Sequence, residues 1–318
     1  MPDKPLVLIT DPIHPKAVAQ LREQCEVLIA SDAAPRSLQQ LMRGAHGLIV
    51  RSQLPADVFD DAPLIRAVVR HGVGVDMIPM QVATRRRIPV ANLPGSNTTA
   101  VVEYCVAAML HLRRRLYQID ASLRTDGWDP ARPIANRLGE LSGGVCGIVG
   151  VGAIGTRLAA VCAGLGMQVI GLTRRPETLP PGVRAVDKRE LFETSDAVIL
   201  CCPLNEQTRG LVDSRAIAAM KRNAILINVA RGPVIDTSAL LAALREDRIA
   251  GAALDVHEVQ PIPAGDPLFE APNLLLTPHV AGITNHSLRA MSLGAATAML
   301  ALLRGERGPN IVNPEVFD

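Results

Sequence analysis

The stretch that most constrains the fold is Cys146-Gly147-Ile148-Val149-Gly150-Val151-Gly152-Ala153-Ile154-Gly155-Thr156-Arg157-Leu158. A short apolar run ends at Gly150, a helical pattern opens within a few residues, and three glycines span the junction at G-x-G-x-x-G spacing. Each glycine has its own task. Gly150 permits the tight turn, Gly152 lets backbone approach a pyrophosphate, and Gly155 lets the helix pack closely on the strand. The helix start at Ala153 and Ile154 then offers unpaired N–H groups and a partial positive charge to phosphates. A second apolar strand, Gln168 to Leu172, follows at βαβ distance and favours a dinucleotide site. The alternative is a glycine-rich turn that binds nothing.

Short apolar runs alternate with helical stretches on both sides of this turn. Before it, strands are expected at Leu6–Thr10, Glu26–Ile29, Gly47–Val50, Ile65–Val69 and Pro89–Ala91. Helices are expected around Pro15–Gln24, Arg36–Arg43 and Met77–Arg86. After Pro94-Gly95-Ser96-Asn97, where Ser96 or Asn97 could cap, one long helical pattern runs from Thr99 to about Thr125. A crossing loop, Asp126 to Leu141, follows, with Trp128 as its packing anchor. From Cys146 six strands are expected, at Gly147–Val149, Val169–Leu172, Ala197–Leu200, Ile225–Asn228, Gly251–Leu254 and Leu274–Leu276. A final apolar helix, Asn285 to Leu303, could return to the first half. Alternation of this kind argues parallel sheets in an α/β chain, with ligands at the carboxyl ends of the strands. Arg51-Ser52 and His71-Gly72-Val73-Gly74-Val75-Asp76 stand at two such ends. Glycine-rich backbone there could meet a carboxylate, with Arg51 adding charge; a plain turn and a surface arginine remain the alternative.

Composition narrows the partners. At 318 residues the chain allows two domains, and 48% hydrophobic with 20% charged residues places it among soluble globular proteins. A formal charge of +2 leaves no nucleic-acid footprint. With few aromatics interleaved, Arg85-Arg86-Arg87 and Arg113-Arg114-Arg115 read as solvated helix faces or interface contacts. The six cysteines show no C-x-x-C spacing and mostly sit in apolar segments, so neither zinc nor a disulfide framework is expected. Without a signal-peptide pattern or an uncharged run of membrane-spanning length, the chain reads as cytoplasmic, with no membrane partner.

The second strand end selects between nicotinamide cofactors. A carboxylate about 20 residues past the glycines accepts ribose hydroxyls and repels a 2′-phosphate. Here the chain reads Leu172-Thr173-Arg174-Arg175-Pro176, without a carboxylate. Thr173 can hydrogen-bond a phosphate and Arg174 or Arg175 can pair with it, so NADP(H) is the preferred cofactor, with dual use of NAD(H) left open. Three further polar residues follow strands: Arg231 in Asn228-Val229-Ala230-Arg231-Gly232, Gln260 in His257-Glu258-Val259-Gln260-Pro261, and His279 in Thr277-Pro278-His279. Reduction of a 2-oxo acid needs a cation for the carboxylate and carbonyl, and a proton donor for the developing alkoxide. Arg231 suits the first task and His279 the second.

These segments resemble the D-isomer-specific 2-hydroxyacid dehydrogenases over nearly the whole chain. The resemblance rests on Val149–Gly155, Met220–Gly232, Ala253-Leu254-Asp255-Val256 and Leu276-Thr277-Pro278-His279. It implies two Rossmann-like or flavodoxin-like domains with doubly wound parallel sheets and an active site in the cleft between them. Residues 1–95 with 289–318 would form the substrate domain, and 96–288 the dinucleotide-binding domain. It implies a homodimer built through the cofactor domain. Arg231 would bind substrate, His279 would be the acid/base and Gln260 its partner. Asp255 would contact the nicotinamide amide, with Cys202, Pro203, Thr208, Val229, Ala230 and Gly282 completing the cofactor site. The backbone of Val73 and Gly74 would bind the substrate carboxylate. Arg51, Ser52 and Asn97 resemble the substrate side of phosphoglycerate dehydrogenases, although the chain is too short for their regulatory domain.

One departure matters: most of the family has glutamate where this chain has Gln260. A carboxylate beside an imidazole favours the charged ring, and glutamine orients the ring without that shift. Carbonyl reduction is therefore expected to fade at lower pH than in glutamate-bearing relatives. Formate dehydrogenases of the superfamily also carry glutamine there, which leaves formate open as another donor. A cofactor-sensing binding protein on the same fold, as in the C-terminal-binding co-repressors, is the non-catalytic alternative; intact Arg231 and His279 favour catalysis, and the leading reading is an NADP(H)-linked reductase of a small 2-oxo acid such as glyoxylate or hydroxypyruvate, working on the D isomer.

Overall fold

The computed structural model describes residues 4–32, 37–308 and 310–318. In chain order the first elements are β1 (Leu6–Ile9), α1 (Pro15–Gln24), β2 (Glu26–Ile29), α2 (Leu38–Met42), β3 (Gly47–Val50), β4 (Ala67–Arg70), α3 (Met80–Arg85) and β5 (Val90–Ala91). Then come α4 (Thr98–Arg114), α5 (Leu116–Thr125), α6 (Trp128–Ala131), β6 (Val145–Val149), α7 (Ala153–Gly164), β7 (Gln168–Leu172) and β8 (Val183–Ala185). The remainder is α8 (Lys188–Thr194), β9 (Ala197–Leu200), α9 (Ser214–Ala219), β10 (Ile225–Asn228), α10 (Thr237–Arg245), β11 (Gly251–Leu254), β12 (Leu274–Leu276) and α11 (Asn285–Leu303).

The chain divides into two compact units, Met1–Asn97 with Ile283–Asp318, and Thr98–Gly282. The first holds a five-stranded sheet in the order β2-β1-β3-β4-β5, all pairs parallel. One face is covered by α1 and α11, burying Val7, Ile9, Ala17, Leu21, Ala295 and Met299. The other packs Leu8, Leu48, Val50, Val68 and Phe59. The chain re-enters this unit at Ile283, earlier than the expected 289, because α11 joins it whole: Thr284 caps its first turn through a reciprocal bond with Ser287. The expected helix start at Arg36 lies outside the described residues; Ser37 caps α2.

The second unit holds a seven-stranded parallel sheet, β12-β11-β10-β9-β6-β7-β8. Each central strand sends alternate residues into opposite cores: Ala197 and Ile199 of β9 face α4 and α7, while Val198 and Leu200 face the helices α8–α10. Strands buried on both faces read as continuous apolar runs, which is why they were legible. The added seventh strand, β8, pairs only with β7 and exposes Arg184, so no apolar run marks it.

Two further corrections concern residues 99–141. The long helical pattern breaks at Arg115, which sits at φ 41° in the left-handed region, giving α4 and α5. The buried stripe of α4 ends at Leu112, and α5 buries none of its residues. The expected loop contains α6 and a 3-10 turn over Arg132–Arg137. Trp128 does not anchor it: its side chain is 65% exposed, because α5, α6 and that turn pack mainly on one another. Among the basic clusters, Arg86 and Arg87 donate to the carbonyls of Ala62 and Asp318, and Arg113 to that of Asp196. All six cysteines are free, and no described helix is long and apolar enough to cross a membrane.

Candidate active site

Within the larger unit the residues singled out above gather at one edge. The glycine turn follows β6, Thr173 follows β7, Cys202 follows β9, Arg231 follows β10, Gln260 follows β11 and His279 follows β12. All these strands are parallel, so every one of these loops leaves the sheet at its carboxyl end. The strand order reverses at β6, between β9 and β7, the place where open α/β sheets bind ligands.

The glycine turn is built as its spacing requires. Gly150 has φ 89°, and a Cβ there would stand 2.7 Å from the Cys202 backbone. A Cβ on Gly155 would stand 2.5 Å from the Gly150 carbonyl oxygen, so only glycine lets α7 seat against β6. Beside Gly152 the space is open, and α7 begins there without a side-chain cap. That leaves first-turn N–H groups without a side-chain cap at a helix start, an arrangement that fits a dinucleotide pyrophosphate. At the end of β7, Thr173 Oγ1 accepts the Arg175 amide at 3.2 Å, and the side chains of Arg174 and Arg175 are exposed. On the β9 loop, Thr208 Oγ1 donates to the Pro203 carbonyl at 2.7 Å. Cys202 is buried, which pushes its thiol up to about 11 and leaves it unreactive at neutral pH.

Arg231 is fixed by a residue that sequence reasoning passed over. Asn228, fully buried at the end of β10, accepts the Ala230 amide at 3.0 Å and donates to the Arg231 carbonyl at 3.0 Å. The Arg231 guanidinium donates to the Ala230 carbonyl through Nη1 at 2.6 Å. An asparagine ending the apolar run Ile225-Leu226-Ile227 was the available signal.

Gln260 and His279 meet directly. Gln260 Nε2 donates to the His257 carbonyl at 3.2 Å, which turns its Oε1 toward His279 Nδ1 at 3.1 Å. An amide oxygen only accepts, so in this contact the proton sits on Nδ1 of His279. His279 itself lies at φ 58°, held by its amide to the carbonyls of Asp255 at 2.8 Å and Thr277 at 3.0 Å. Asp255, 2% exposed, accepts the Val280 amide and the Thr277 hydroxyl on Oδ1, both at 2.7 Å, and the Ala281 amide on Oδ2 at 2.9 Å. Its carboxylate therefore builds the His279 loop. His257 donates through Nε2 to the Thr277 carbonyl at 2.9 Å, and its buried Nδ1 has no partner.

In the smaller unit, Arg51-Ser52 and residues 71–76 follow the neighbouring strands β3 and β4. Arg70, not singled out by sequence, shapes the second loop by donating to the carbonyls of Val50 (2.8 Å), His71 (2.9 Å) and Gly74 (3.0 Å). Asn92 donates to the Val73 carbonyl at 2.7 Å, and Val73 is exposed. The Arg51 guanidinium bonds the Pro12 carbonyl. Asn97 Oδ1 is buried without a partner and Ser96 Oγ turns back to the Leu93 carbonyl, so neither caps the following helix with its oxygen. His71 is buried against Ser292, with Nε2 and Oγ 2.9 Å apart, and makes no exposed contact surface.

Comparison with known proteins identifies the family. Residues 106–281 match the NAD-binding domain of the D-isomer-specific 2-hydroxyacid dehydrogenases. The chain is 36% identical over 325 residues to a glyoxylate reductase of Thermofilum pendens, covering 99% of this chain and 96% of that one. It is also 36% identical to a D-3-phosphoglycerate dehydrogenase of Methanocaldococcus jannaschii, covering 96% of this chain and 59% of that one. Among solved structures, an NADPH-dependent glyoxylate/hydroxypyruvate reductase of Sinorhizobium meliloti in complex with NADP and malonate is 30% identical. It aligns with a TM-score of 0.86 over 99% of this chain and 98% of that one. The chain belongs to the D-isomer-specific 2-hydroxyacid dehydrogenases, a family of NAD(P)-dependent oxidoreductases.

Proposed function

We propose that the protein reduces a small 2-oxo acid of the glyoxylate or hydroxypyruvate type to the D-2-hydroxy acid, with NADPH as its preferred cofactor. The observation that carries this reading is the Gln260–His279 pair, standing with Arg231 at the ends of the three adjacent strands β10, β11 and β12. Relatives named glyoxylate reductase support the substrate class. When bound, the nicotinamide supplies the hydride.

The chain's own residues do the rest. The Gly150–Gly155 turn would hold the pyrophosphate, and Thr173, Arg174 and Arg175 the 2′-phosphate. Cys202, Pro203, Thr208, Val229, Ala230, Asp255 and Gly282 would line the remaining cofactor path along the strand ends. Arg231 holds the substrate carboxylate and polarises its carbonyl with a permanent charge. Protonated His279 donates from Nε2 to the oxygen that becomes alkoxide; the neutral ring left behind keeps its Nδ1 proton on Gln260, ready for the reverse reaction. In the smaller unit the amides of Val73 and Gly74, with Arg51, Ser52 and Asn97, are assigned to the substrate.

Side-by-side kinetics with glyoxylate and hydroxypyruvate, each with NADPH and NADH, test the reading. Turnover with a lower KM for NADPH is expected, and Arg231→Ala should lower kcat/KM by about 10²–10³-fold. A lower KM for NADH overturns the cofactor assignment, and formate-dependent NAD(P)H production overturns the substrate class.

A further inference from the structure

We infer that Tyr104 and Thr277 are positioning residues for His279, the phenol on α4 closing a Tyr104–Thr277–Asp255 chain that fixes the loop carrying the imidazole. The inference rests on the reading of His279 as proton donor. Tyr104 OH and Thr277 Oγ1 are 2.7 Å apart, and Thr277 Oγ1 donates to Asp255 Oδ1, also at 2.7 Å. Proton counting sets the direction of the chain. A carboxylate accepts only, so the one hydroxyl proton of Thr277 is spent on Asp255, and the phenol must donate to Thr277.

What the chain holds is a loop that would not hold itself. His279 occupies the left-handed region at φ 58°, a conformation that residues bearing a Cβ keep only where surroundings enforce it. Its amide bonds the Asp255 and Thr277 carbonyls, and the next two amides, Val280 and Ala281, bond the two Asp255 oxygens. Asp255 and Thr277 thus grip the histidine from both flanks, and Tyr104 sets the rotor of Thr277. Burial pushes the Tyr104 phenol up to about 12, so its donor proton is present throughout the working range. Tyr104 lies 173 residues from Thr277 in sequence, and nothing in the spacing of α4 separates its hydroxyl from a packing ring.

Steady-state kinetics with glyoxylate and NADPH on Tyr104→Phe, Thr277→Val, Thr277→Ser and the Phe/Val double variant, beside wild type and His279→Ala, test this. Each Phe or Val change should lower kcat by roughly tenfold while moving either KM less than about twofold, since the loss is of proton-donor alignment and not of binding. Thr277→Ser, which keeps the hydroxyl, should recover most of the loss. The double variant should be no worse than the worse single one, as groups acting in one chain are non-additive. Thermal melts on the same preparations identify a variant that fails to fold, and the serine rescue stands apart from that failure. A Tyr104→Phe enzyme with wild-type kcat, a serine variant as impaired as valine, or fully additive losses overturns the positioning role while the reductase reading stands. A wild type inert toward 2-oxo acids, or a fully active His279→Ala variant, overturns both.

Discussion

At the scale of single residues, the proposed role of His279 as proton donor makes Gln260 the residue expected to set the pH range of reduction. It fixes the tautomer of His279 as a glutamate would, through Nδ1, but it adds no negative charge to favour the protonated ring. Reduction needs that protonated ring. Gln260→Glu should therefore carry kcat for glyoxylate reduction to higher pH, by about one unit or more, with the low-pH plateau little changed. Superimposable pH–rate profiles for the two proteins would refute the argument. His71 governs a different pH effect. Burial, reinforced by the Arg51 charge, lowers its pKa from the ordinary 6.5 to about 4. The folded state thus holds His71 neutral while the unfolded chain takes up a proton, so the stabilisation is full above about pH 6.5 and is lost progressively toward pH 4. The full loss, below pH 4, is on the order of 3 kcal/mol, of which about 2 kcal/mol falls between pH 7 and pH 5. Urea melts at pH 7 and pH 5 should show it, and a His71→Gln variant, whose amide can still reach Ser292, should lose less between those pH values than wild type.

At the scale of elements, the proposed cofactor choice rests on the βα turn after β7. Arg174 and Arg175 stand exposed past β7 with no carboxylate beside them at residues 173–176, so their charge is available to a phosphate. Changing both to alanine should raise the KM for NADPH tenfold or more, at about 1–1.5 kcal/mol per charged contact, and leave that for NADH nearly unaltered. Added salt should weaken NADPH more than NADH in wild type only. Equal effects on both cofactors would place the 2′-phosphate elsewhere. The exposed arginines of this proposed selector were legible in sequence because they depend on residue type at a strand end. The glycine turn and the double-sided apolar strands were legible for the same reason: each is a local pattern tied to one geometry. What escaped sequence reading depends on partners far along the chain. Asn228 looks like the last residue of a strand until its side chain is seen bracketing Arg231. Arg70 looks like a surface charge, yet it extends β4 past the apolar run and spends its guanidinium on three carbonyls. Arginine is a good helix former, so nothing announced the break at Arg115.

At the scale of the whole molecule, the segment from α5 to the following 3-10 turn stands out in composition. Leu116, Tyr117, Leu123 and Trp128 are exposed large apolar side chains within thirteen residues of one another, and α5 has no fully buried residue. Scattered exposed apolar residues are ordinary, but four on one short segment single it out as a candidate subunit contact to test. The family resemblance implied a homodimer built through the cofactor domain, and this segment belongs to the Thr98–Gly282 unit. The partner to test for it is therefore a second copy of the chain. Sedimentation at micromolar concentration should give twice the 33.9 kDa chain mass, and Leu123→Asp with Tyr117→Asp should return the monomer with its melting transition intact in shape. Because Trp128 is the single tryptophan, its emission reports on this surface alone. Dilution through the dissociation range should shift that emission to the red in wild type, and the aspartate variant should emit at the red limit at every concentration. A wild type that sediments as a monomer, or whose tryptophan emission ignores dilution while the aspartate variant matches it, would leave the segment without a subunit partner.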